Sequence, residues 1–292
     1  MKFYLFKLPR DTWACLISAL LILFLGLSLH WANHYPFDWI KIIWTSFFIF
    51  LAALAYIAGS LGHYPKACSL GRTIGLSFLI IVCSLVALHV LPLSPFAMID
   101  KKLAWTDQAL GFNVADFSME IRKSHPDLSY FFFQIYNTLV PLSFFSMLIL
   151  PWISESKARE FVLLTSISSF LGLFIYFFLP AIGPMASYHY ALNSSELALF
   201  KHVNLLRKDG AASQLFLTGD ISFPSFHTII ALLATWVWRD YKIIFIPLSL
   251  LSVLIIFSTL STGWHYLSDV LGGILISLVS IFLAYFFKPD WF

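Results

Sequence analysis

Eight apolar runs, each close to the length that crosses a bilayer, set the first constraint on this chain. A hydrocarbon core takes about 20 apolar residues in a helix, and inside lipid only helices or closed barrels satisfy every backbone N–H and C=O group. The period-2 alternation of a barrel strand is absent. Of the 292 residues, 60% are hydrophobic and 11% are charged, whereas soluble domains carry about 25% charged residues. The sequence therefore predicts an all-α fold, a polytopic membrane helical bundle of about eight transmembrane helices at approximately 13–31, 42–62, 73–94, 128–151, 161–180, 223–238, 243–261 and 265–287.

The basic residues between these runs predict how the chain is oriented. With the N-terminus in the cytoplasm, every short inside loop is basic, and the short outside loop at 32–40 has no Lys or Arg. This is the pattern of the positive-inside rule, so we expect both termini in the cytoplasm. Because long extramembrane domains are lacking, a bacterial inner membrane is the expected location. The inside basic residues are Lys2, Lys7, Arg10, Lys66, Arg72, Lys157, Arg159, Arg239, Lys242 and Lys288.

Two longer loops, 95–127 and 181–222, fall on the non-cytoplasmic side. The first, "MIDKKLAWTDQALGFNVADFSMEIRKSH", mixes apolar and charged residues at helical spacing, which predicts helices that lie in the membrane interface. Two roles stay open for this loop: it forms a structural collar around the bundle, or it admits a lipid substrate. The second loop is rich in Gly, Pro and Ser and carries a small basic cluster.

A histidine and an aspartate open the last apolar run, in "GWHYLSD". His265 and Asp269 are spaced i, i+4, so on one helix their side chains share a face and the carboxylate can reach the imidazole. An aspartate in a membrane helix costs roughly 2.5–3.5 kcal/mol at the bilayer centre, so it usually faces a partner or a wet cavity. His227, in "SFPSFH", opens the sixth run from the same side of the membrane.

Three interpretations fit two histidines and a carboxylate at one membrane face. In the first, one imidazole attacks, the carboxylate fixes its tautomer and the other imidazole protonates the leaving oxygen, as in phosphoryl transfer. The second is a metal site, for which an i, i+4 pair plus one further histidine is a weak match. The third is polar packing or proton passage in a transporter or structural membrane protein. The residues alone leave all three open.

The two motifs together resemble a known family. "SFPSFH" followed by "STLSTGWHYLSDVLGG" is similar to the second and third signature motifs of the type 2 phosphatidic acid phosphatase superfamily, which read P-S-x-H and H-x-x-x-D. "PAIGP", "YNTLVPL" and "DVLGG" are most similar to the branch of inositol phosphorylceramide synthases and their bacterial relatives. The resemblance implies a six-helix phosphatase-like core, a nucleophilic His265 that forms a phosphohistidine, Asp269 as its orienting partner, and His227 as general acid.

The chain departs from the family pattern at the groups that hold the phosphate. The arginine that usually stands six residues before the third-motif histidine is Thr259 here, and the usual first motif, a lysine ahead of an Arg-Pro pair, is absent. A phosphoryl group still needs positive or hydrogen-bonding partners. We expect Arg207 and Lys208 to supply the charge, with Lys201 as a weaker choice, and Ser225 to donate to a phosphate oxygen while Gly219 lets the backbone approach. The alternative for Arg207 and Lys208 is contact with lipid headgroups, and for Ser225 and Gly219 it is helix capping.

These observations predict one integral membrane domain, residues 1–292, with N-terminal spans at 1–94, interfacial helices at 95–127 and catalytic helices at 128–292. The predicted activity is that of a lipid phosphatase or phosphotransferase acting on a lipid phosphate or phospholipid at the non-cytoplasmic face, without a metal or cofactor. The alternatives are a headgroup transferase that uses an alcohol acceptor, and a non-enzymatic transporter or structural protein. No nucleic acid partner is expected, and the sequence leaves the oligomeric state open.

Overall fold

The chain folds into a bundle of helices. The computed structural model describes residues 9–34, 39–190, 192–209 and 221–287. These residues form two short 3-10 turns, no strand, and the α-helices α1 (Arg10–Ala32), α2 (Trp39–Leu61), α3 (Pro65–Val90), α4 (Asp100–Ala109), α5 (Val114–Ser124), α6 (Pro126–Asn137), α7 (Leu139–Ile153), α8 (Glu155–Phe178), α9 (Ser194–Asp209), α10 (Phe226–Trp236), α11 (Lys242–Ser261) and α12 (Leu267–Phe286). The all-helical prediction is confirmed.

Seven helical segments of the described chain are long and apolar enough to cross a membrane. The sixth of the eight predicted spans, 223–238, is shorter than expected, because α10 has only 11 residues, about 16 Å at 1.5 Å per residue. Ser225 caps the start of α10 by accepting the N–H of Thr228 at 3.3 Å. After Trp236 the backbone turns through i to i+3 hydrogen bonds, from Trp238 N–H to Thr235 at 2.9 Å and from Arg239 N–H to Trp236 at 3.1 Å. Helix α10 therefore covers roughly half of a 30 Å hydrocarbon core.

The predicted span 128–151 is built from two helices, α6 and α7, that meet at Thr138. Pro141 has no N–H and cannot bond to the carbonyl of Asn137, so the hydrogen-bond ladder is interrupted at this point. The Thr138 hydroxyl donates to the carbonyl of Ile135 at 2.6 Å. The loop predicted to hold interfacial helices, 95–127, does contain two short helices, α4 and α5.

Helix α8 lies at the centre of the bundle, where it packs against α1, α3, α7, α10 and α12. Its side chains Leu163, Leu164 and Tyr176 are fully or almost fully buried, within a hydrophobic cluster that also contains Ile22 of α1 and Leu150 of α7. Large apolar side chains elsewhere point outward, as expected where lipid takes the place of water. Examples are Phe24, Leu54, Ile243, Leu275 and Phe282. The N-terminal helices and the motif-bearing helices thus share one core.

Ion pairs collect at one end of the bundle, which we call the charged end. Arg159 of α8 forms two hydrogen bonds to Asp11 of α1, at 2.7 and 2.5 Å. Arg72 of α3 lies 2.6 Å from Glu155. The start of α8 and the segment after α10 are joined by Arg239, which lies 3.0 Å from Glu160. His227 lies at the other end of α10. We call the end of the bundle that contains His227 the histidine end.

Candidate functional site

The turns between helices bring the three predicted catalytic side chains together at the histidine end. His265 lies in the turn between α11 and α12, Asp269 in the first turn of α12, and His227 in the first turn of α10. The ring centroids of His227 and His265 are 5.7 Å apart. His265 and Asp269 are buried, whereas His227 is partly exposed. His265 and Asp269 are in contact as predicted, but His265 precedes α12, so the two side chains do not share a face of one helix.

The hydrogen bonds of His265 define which ring nitrogen carries the proton. Its Nδ1 lies 3.3 Å from Oδ2 of Asp269 and 3.1 Å from the carbonyl oxygen of Ser222. Both neighbours are acceptors, so Nδ1 must carry hydrogen to satisfy them. Nε2 then carries the lone pair. An imidazole that attacks through Nε2 requires this tautomer.

Asp269 is held by groups from both motifs. Its Oδ2 accepts a hydrogen bond from the Ser222 hydroxyl and one from the Tyr266 N–H at 2.8 Å. Its backbone carbonyl accepts the N–H of Ser225 at 3.0 Å. Ser222 therefore contacts both His265 and Asp269, which we call the dyad. Ser222 stands five residues before His227 in the same motif, but sequence reasoning did not assign it a role.

Two glycines allow the motif segments to approach each other. Gly263, two residues before His265, has φ +78°, a left-handed conformation that favours glycine. Gly273 of α12 lies against α10, and a Cβ there would come within 2.8 Å of the Ser225 carbonyl oxygen and of a Thr228 side-chain carbon. The close contact of α10 with α12 sets the distance between His227 and the dyad.

His227 stacks against Tyr136 of α6, with ring centroids 3.9 Å apart and an interplanar angle of 25°. The stacked ring holds the imidazole at a fixed angle to His265. Tyr136 lies in the "YNTLVPL" segment, and sequence reasoning gave it no individual role.

Two buried aspartates of α4 anchor the turns around the site. Asp107 accepts the N–H groups of Leu267 and Ser268, at 2.6 and 2.9 Å, and the Ser268 hydroxyl, so it caps the N-terminus of α12. Burial raises the pKa of Asp107, although the bonds from Ser268 and Leu267 oppose that shift. These contacts favour the collar interpretation of the 95–127 loop.

Asp100 plays the same part at the "PAIGP" turn. It accepts the N–H groups of Ile182 and Gly183, at 3.1 and 2.9 Å, and the Tyr266 hydroxyl at 3.4 Å. Burial raises the pKa of Asp100 to about 6, against the opposing effect of the two N–H groups. The turn is thereby fixed to the residue that follows His265.

Arg122 of α5 contacts the turn that precedes His265. Its guanidinium lies 2.5 Å from Glu196 of α9, which is fully buried, and donates to the carbonyl of Thr262. Sequence reasoning gave Arg122 no role, because nothing along the chain relates it to residues 74 and 140 positions away. This ion pair ties α9 and α5 to the turn.

The predicted phosphate-binding residues are placed differently from one another. Ser225 is buried beside the dyad and uses its hydroxyl to cap α10. Arg207 donates to the carbonyls of Pro92 and Phe96, at 2.8 and 2.7 Å, and Lys208 is exposed at the end of α9. Thr259 is buried, and its hydroxyl donates to the carbonyl of Ile256. Gly219, Lys2, Lys7 and Lys288 lie outside the described residues.

An apolar cavity of about 850 Å³ ends at the two histidines. The described residues that line it include His227, His265, Tyr136, Trp264 and Ile182, and none of them is Lys, Arg, Asp or Glu. Arg207 and Lys208 are thus not part of its wall. In the part of the chain that the structure describes, no three His, Cys, Asp or Glu side chains are grouped so that they could hold a metal ion.

Fold and site together define a polytopic helical membrane protein with a His-His-Asp constellation at the end of an apolar cavity. The model of the PAP2 superfamily matches residues 101–283, more than half of the chain. The chain belongs to this superfamily, that of the type 2 phosphatidic acid phosphatases. Comparison with the curated proteins and with the solved structures finds no match. The resemblance to the inositol phosphorylceramide synthase branch stays a prediction.

Proposed function

We propose that the protein is a lipid phosphatase or phosphotransferase that works through a phosphohistidine at His265. The observation that carries the proposal is the pair of imidazoles, 5.7 Å apart, with Nδ1 of His265 held by Asp269 and Ser222. An in-line transfer needs about 3–3.5 Å from attacking nitrogen to phosphorus and about 2.6–3.2 Å from leaving oxygen to general acid. Both imidazoles therefore lie close enough to contact the same phosphoryl group.

The first half-reaction forms one bond and breaks another. Nε2 of His265 attacks the phosphorus, and the bond from phosphorus to the lipid oxygen breaks. His227 gives its proton to that oxygen, so the lipid leaves as a neutral alcohol. Asp269 stabilises the positive charge that develops on the His265 ring.

In the second half-reaction, water or another hydroxyl attacks the same phosphorus. His227, now neutral, takes the proton of the attacking hydroxyl, and the bond between phosphorus and Nε2 breaks. Free imidazole is regenerated at His265. With water the product is inorganic phosphate, and with an alcohol it is a new phosphate ester.

The start of α10 is the phosphate-binding group that we propose in place of the missing basic motif. The N–H groups of Phe226 and His227 precede the first hydrogen bonds inside the helix and have no acceptor within it. The positive end of the helix dipole favours an anion at this point. Ser225, whose hydroxyl caps α10, can turn that hydroxyl toward a phosphate oxygen. Arg207 and Lys208 stay predicted phosphate-binding residues, although the Arg207 guanidinium donates to two backbone carbonyls in the structure.

The charged end supports an active site on the non-cytoplasmic side. Arg72, Arg159 and Arg239 lie at that end, and the positive-inside rule places basic residues in the cytoplasm. The histidine end then faces the periplasm or a lumen. His227 and Trp236 are nine residues apart in α10, about 14 Å of helix, so we place the site within the thickness of the membrane.

A membrane alcohol is the second candidate acceptor, as in a headgroup transferase. The cavity beside the histidines holds about 850 Å³ and has no charged wall residue apart from the histidines in the described chain. That space is large enough for apolar molecules, and pockets of about 300–1,000 Å³ hold drug-sized ligands. Incubating an n-alkyl phosphate with added diacylglycerol and looking for phosphatidic acid separates transfer from hydrolysis.

Variants of the dyad test the proposed function. Purified protein in mixed micelles is incubated with phosphatidic acid and other lipid phosphates, and release of inorganic phosphate is measured. His265→Gln and Asp269→Asn should lose nearly all turnover while keeping the thermal midpoint within a few degrees. Ser249→Ala, on the lipid-facing helix α11, is the matched control and should keep full activity. Wild-type turnover in either dyad variant would refute the assignment.

A further inference from the structure

The apolar cavity extends away from the histidines, between helices that the catalytic steps do not use. Its walls come from α3, α7 and α8 as well as from α10. On the far side from His265 the wall is formed by Ser77 of α3, Met147 of α7 and Phe161 of α8, all of which are buried. We call these three residues the floor.

The depth of the cavity corresponds to one leaflet of a bilayer. The lining residues of α3 run from Ser77 to Leu88, and those of α8 from Phe161 to Leu173. At 1.5 Å per residue these stretches measure about 16 and 18 Å. A hydrocarbon core is about 30 Å thick, so half of it is about 15 Å. A chain that belongs to one leaflet therefore matches the distance from the histidines to the floor.

The same cavity opens sideways toward lipid. Ile81 and Leu85 of α3 line it and are 42% and 40% exposed, and Phe144 of α7 lines it and is 42% exposed. Val140 of α7, also a lining residue, is 59% exposed. An opening with apolar rims on two neighbouring helices is suited to a hydrocarbon chain that moves in from the bilayer. Ile182, Leu199 of α9 and Ile221 also line the cavity, and all three are buried.

We propose that this cavity binds one hydrocarbon chain of the lipid substrate, which slides in between α3 and α7, and that the floor limits the length of that chain. The proposal rests on the proposed function, because it places the phosphoryl group of the same lipid at His265. Helix α3 lies before residue 101, outside the region that matches the superfamily. Of the three floor residues, Ser77 therefore lies outside the matched region, whereas Met147 and Phe161 lie within it.

Ser77 is the floor residue that leaves the most room for a change. It is a small side chain, 6% exposed, and its hydroxyl has no hydrogen-bond partner among the described residues. Leucine at this position would extend into the cavity by several atoms. Transfer from lipid to an apolar cavity gains little hydrophobic free energy, since lipid tails are themselves apolar. The selection is therefore steric.

A homologous series of n-alkyl phosphates, from octyl to octadecyl, tests the floor. For Ser77→Leu we expect kcat/KM to fall about tenfold for the longest chains, equivalent to about 1.4 kcal/mol, and to stay within about twofold for octyl phosphate. Met147→Ala should shift the optimum to longer chains. The matched control is Ser69→Leu, the same change at another buried serine of α3 that lies outside the cavity lining. An unchanged length profile in Ser77→Leu and Met147→Ala would refute the floor.

A binding readout keeps this proposal separate from the catalytic one. An octadecyl phosphate with a diazirine at the end of its chain is photolysed with wild-type protein and with His265→Ala, and the labelled peptides are mapped. We expect labels on α3, α7 and α8 near the floor in both proteins. Labels found only on lipid-facing residues of α1, α2 or α12 would overturn the cavity assignment, even if turnover depends on His265. Labels at the floor without any turnover would refute the proposed function alone.

Discussion

Asp107 gives the sharpest structural prediction, because one buried carboxylate connects a helix outside the motifs to the helix that carries Asp269. It accepts the N–H groups of Leu267 and Ser268, at 2.6 and 2.9 Å, and the Ser268 hydroxyl. Asp107→Ala removes all three bonds. The serine hydroxyl can turn to another acceptor, but the two N–H groups cannot.

The expected cost follows from those two N–H groups. A buried donor left without an acceptor costs about 1–3 kcal/mol, so two of them cost about 2–6 kcal/mol. Burial raises the pKa of Asp107, which means that desolvation already offsets part of the benefit of the carboxylate. Leu267 is also partly exposed, so water can reach one donor. We expect a net loss of about 2 kcal/mol, and about half of that for Asp107→Asn, which keeps one acceptor oxygen.

Thermal unfolding in detergent, followed by tryptophan fluorescence, measures the loss. For 292 residues, with an unfolding entropy of about 2.1 cal/mol/K per residue, 2 kcal/mol corresponds to a fall of about 3 °C in the midpoint. The matched control is Asp116→Ala, an exposed aspartate in the first turn of α5 that binds Asn113, for which we expect a change of less than about 1 °C. Turnover should fall in Asp107→Ala because His265 lies two residues before Leu267. Equal midpoints for Asp107→Ala and Asp116→Ala would show that the carboxylate does not hold α12.

Three further predictions concern the groups around the site. His227→Ala should lose about 10²–10⁴-fold in turnover for alkyl phosphates and less for p-nitrophenyl phosphate, whose leaving group needs no proton; equal losses would argue against a general acid. If Arg207 holds phosphate, Arg207→Ala should raise KM and Arg207→Lys should restore part of the affinity, whereas a lower midpoint with unchanged KM would limit Arg207 to its two carbonyl contacts. Burial raises the pKa of Asp100 from 3.8 to about 6. The stabilisation from its protonated form is therefore complete below about pH 4 and disappears as pH rises through about 6. The difference in thermal midpoint between wild type and Asp100→Asn should change across that pH window, and a constant difference would contradict the raised pKa.

The sequence predicts the bundle because each long apolar run has one low-energy structure in lipid. It overestimates α10, since hydropathy does not distinguish a helix that crosses the core from a shorter helix followed by a turn. The tight turn after Trp236 and the ion pair from Arg239 to Glu160 end that helix early. The ion pair joins residues 79 positions apart, and no local pattern along the chain encodes it.

The candidate site divides in the same way. His227, His265 and Asp269 can be predicted because their spacing and their motif are local. Ser222 was within reach, since it belongs to the motif that contains His227. Asp107 could not be linked to α12 from the sequence, because its partners are 160 and 161 residues away. In the 95–127 loop it is one of several acidic residues, and only the folded structure shows that Asp100 and Asp107 are buried.

We expect His265 to carry the phosphoryl group as a phosphohistidine during turnover, and trapping this intermediate tests the mechanism. Wild-type protein is mixed with ³²P-labelled phosphatidic acid, quenched in alkali within the first turnover, digested and mapped by mass spectrometry. We expect an acid-labile, base-stable phosphate on the peptide that contains His265, no label in His265→Ala, and more label in His227→Ala with p-nitrophenyl phosphate, because the step that removes the phosphate is slowed. Turnover without label on His265, or label on a different residue, would contradict the account.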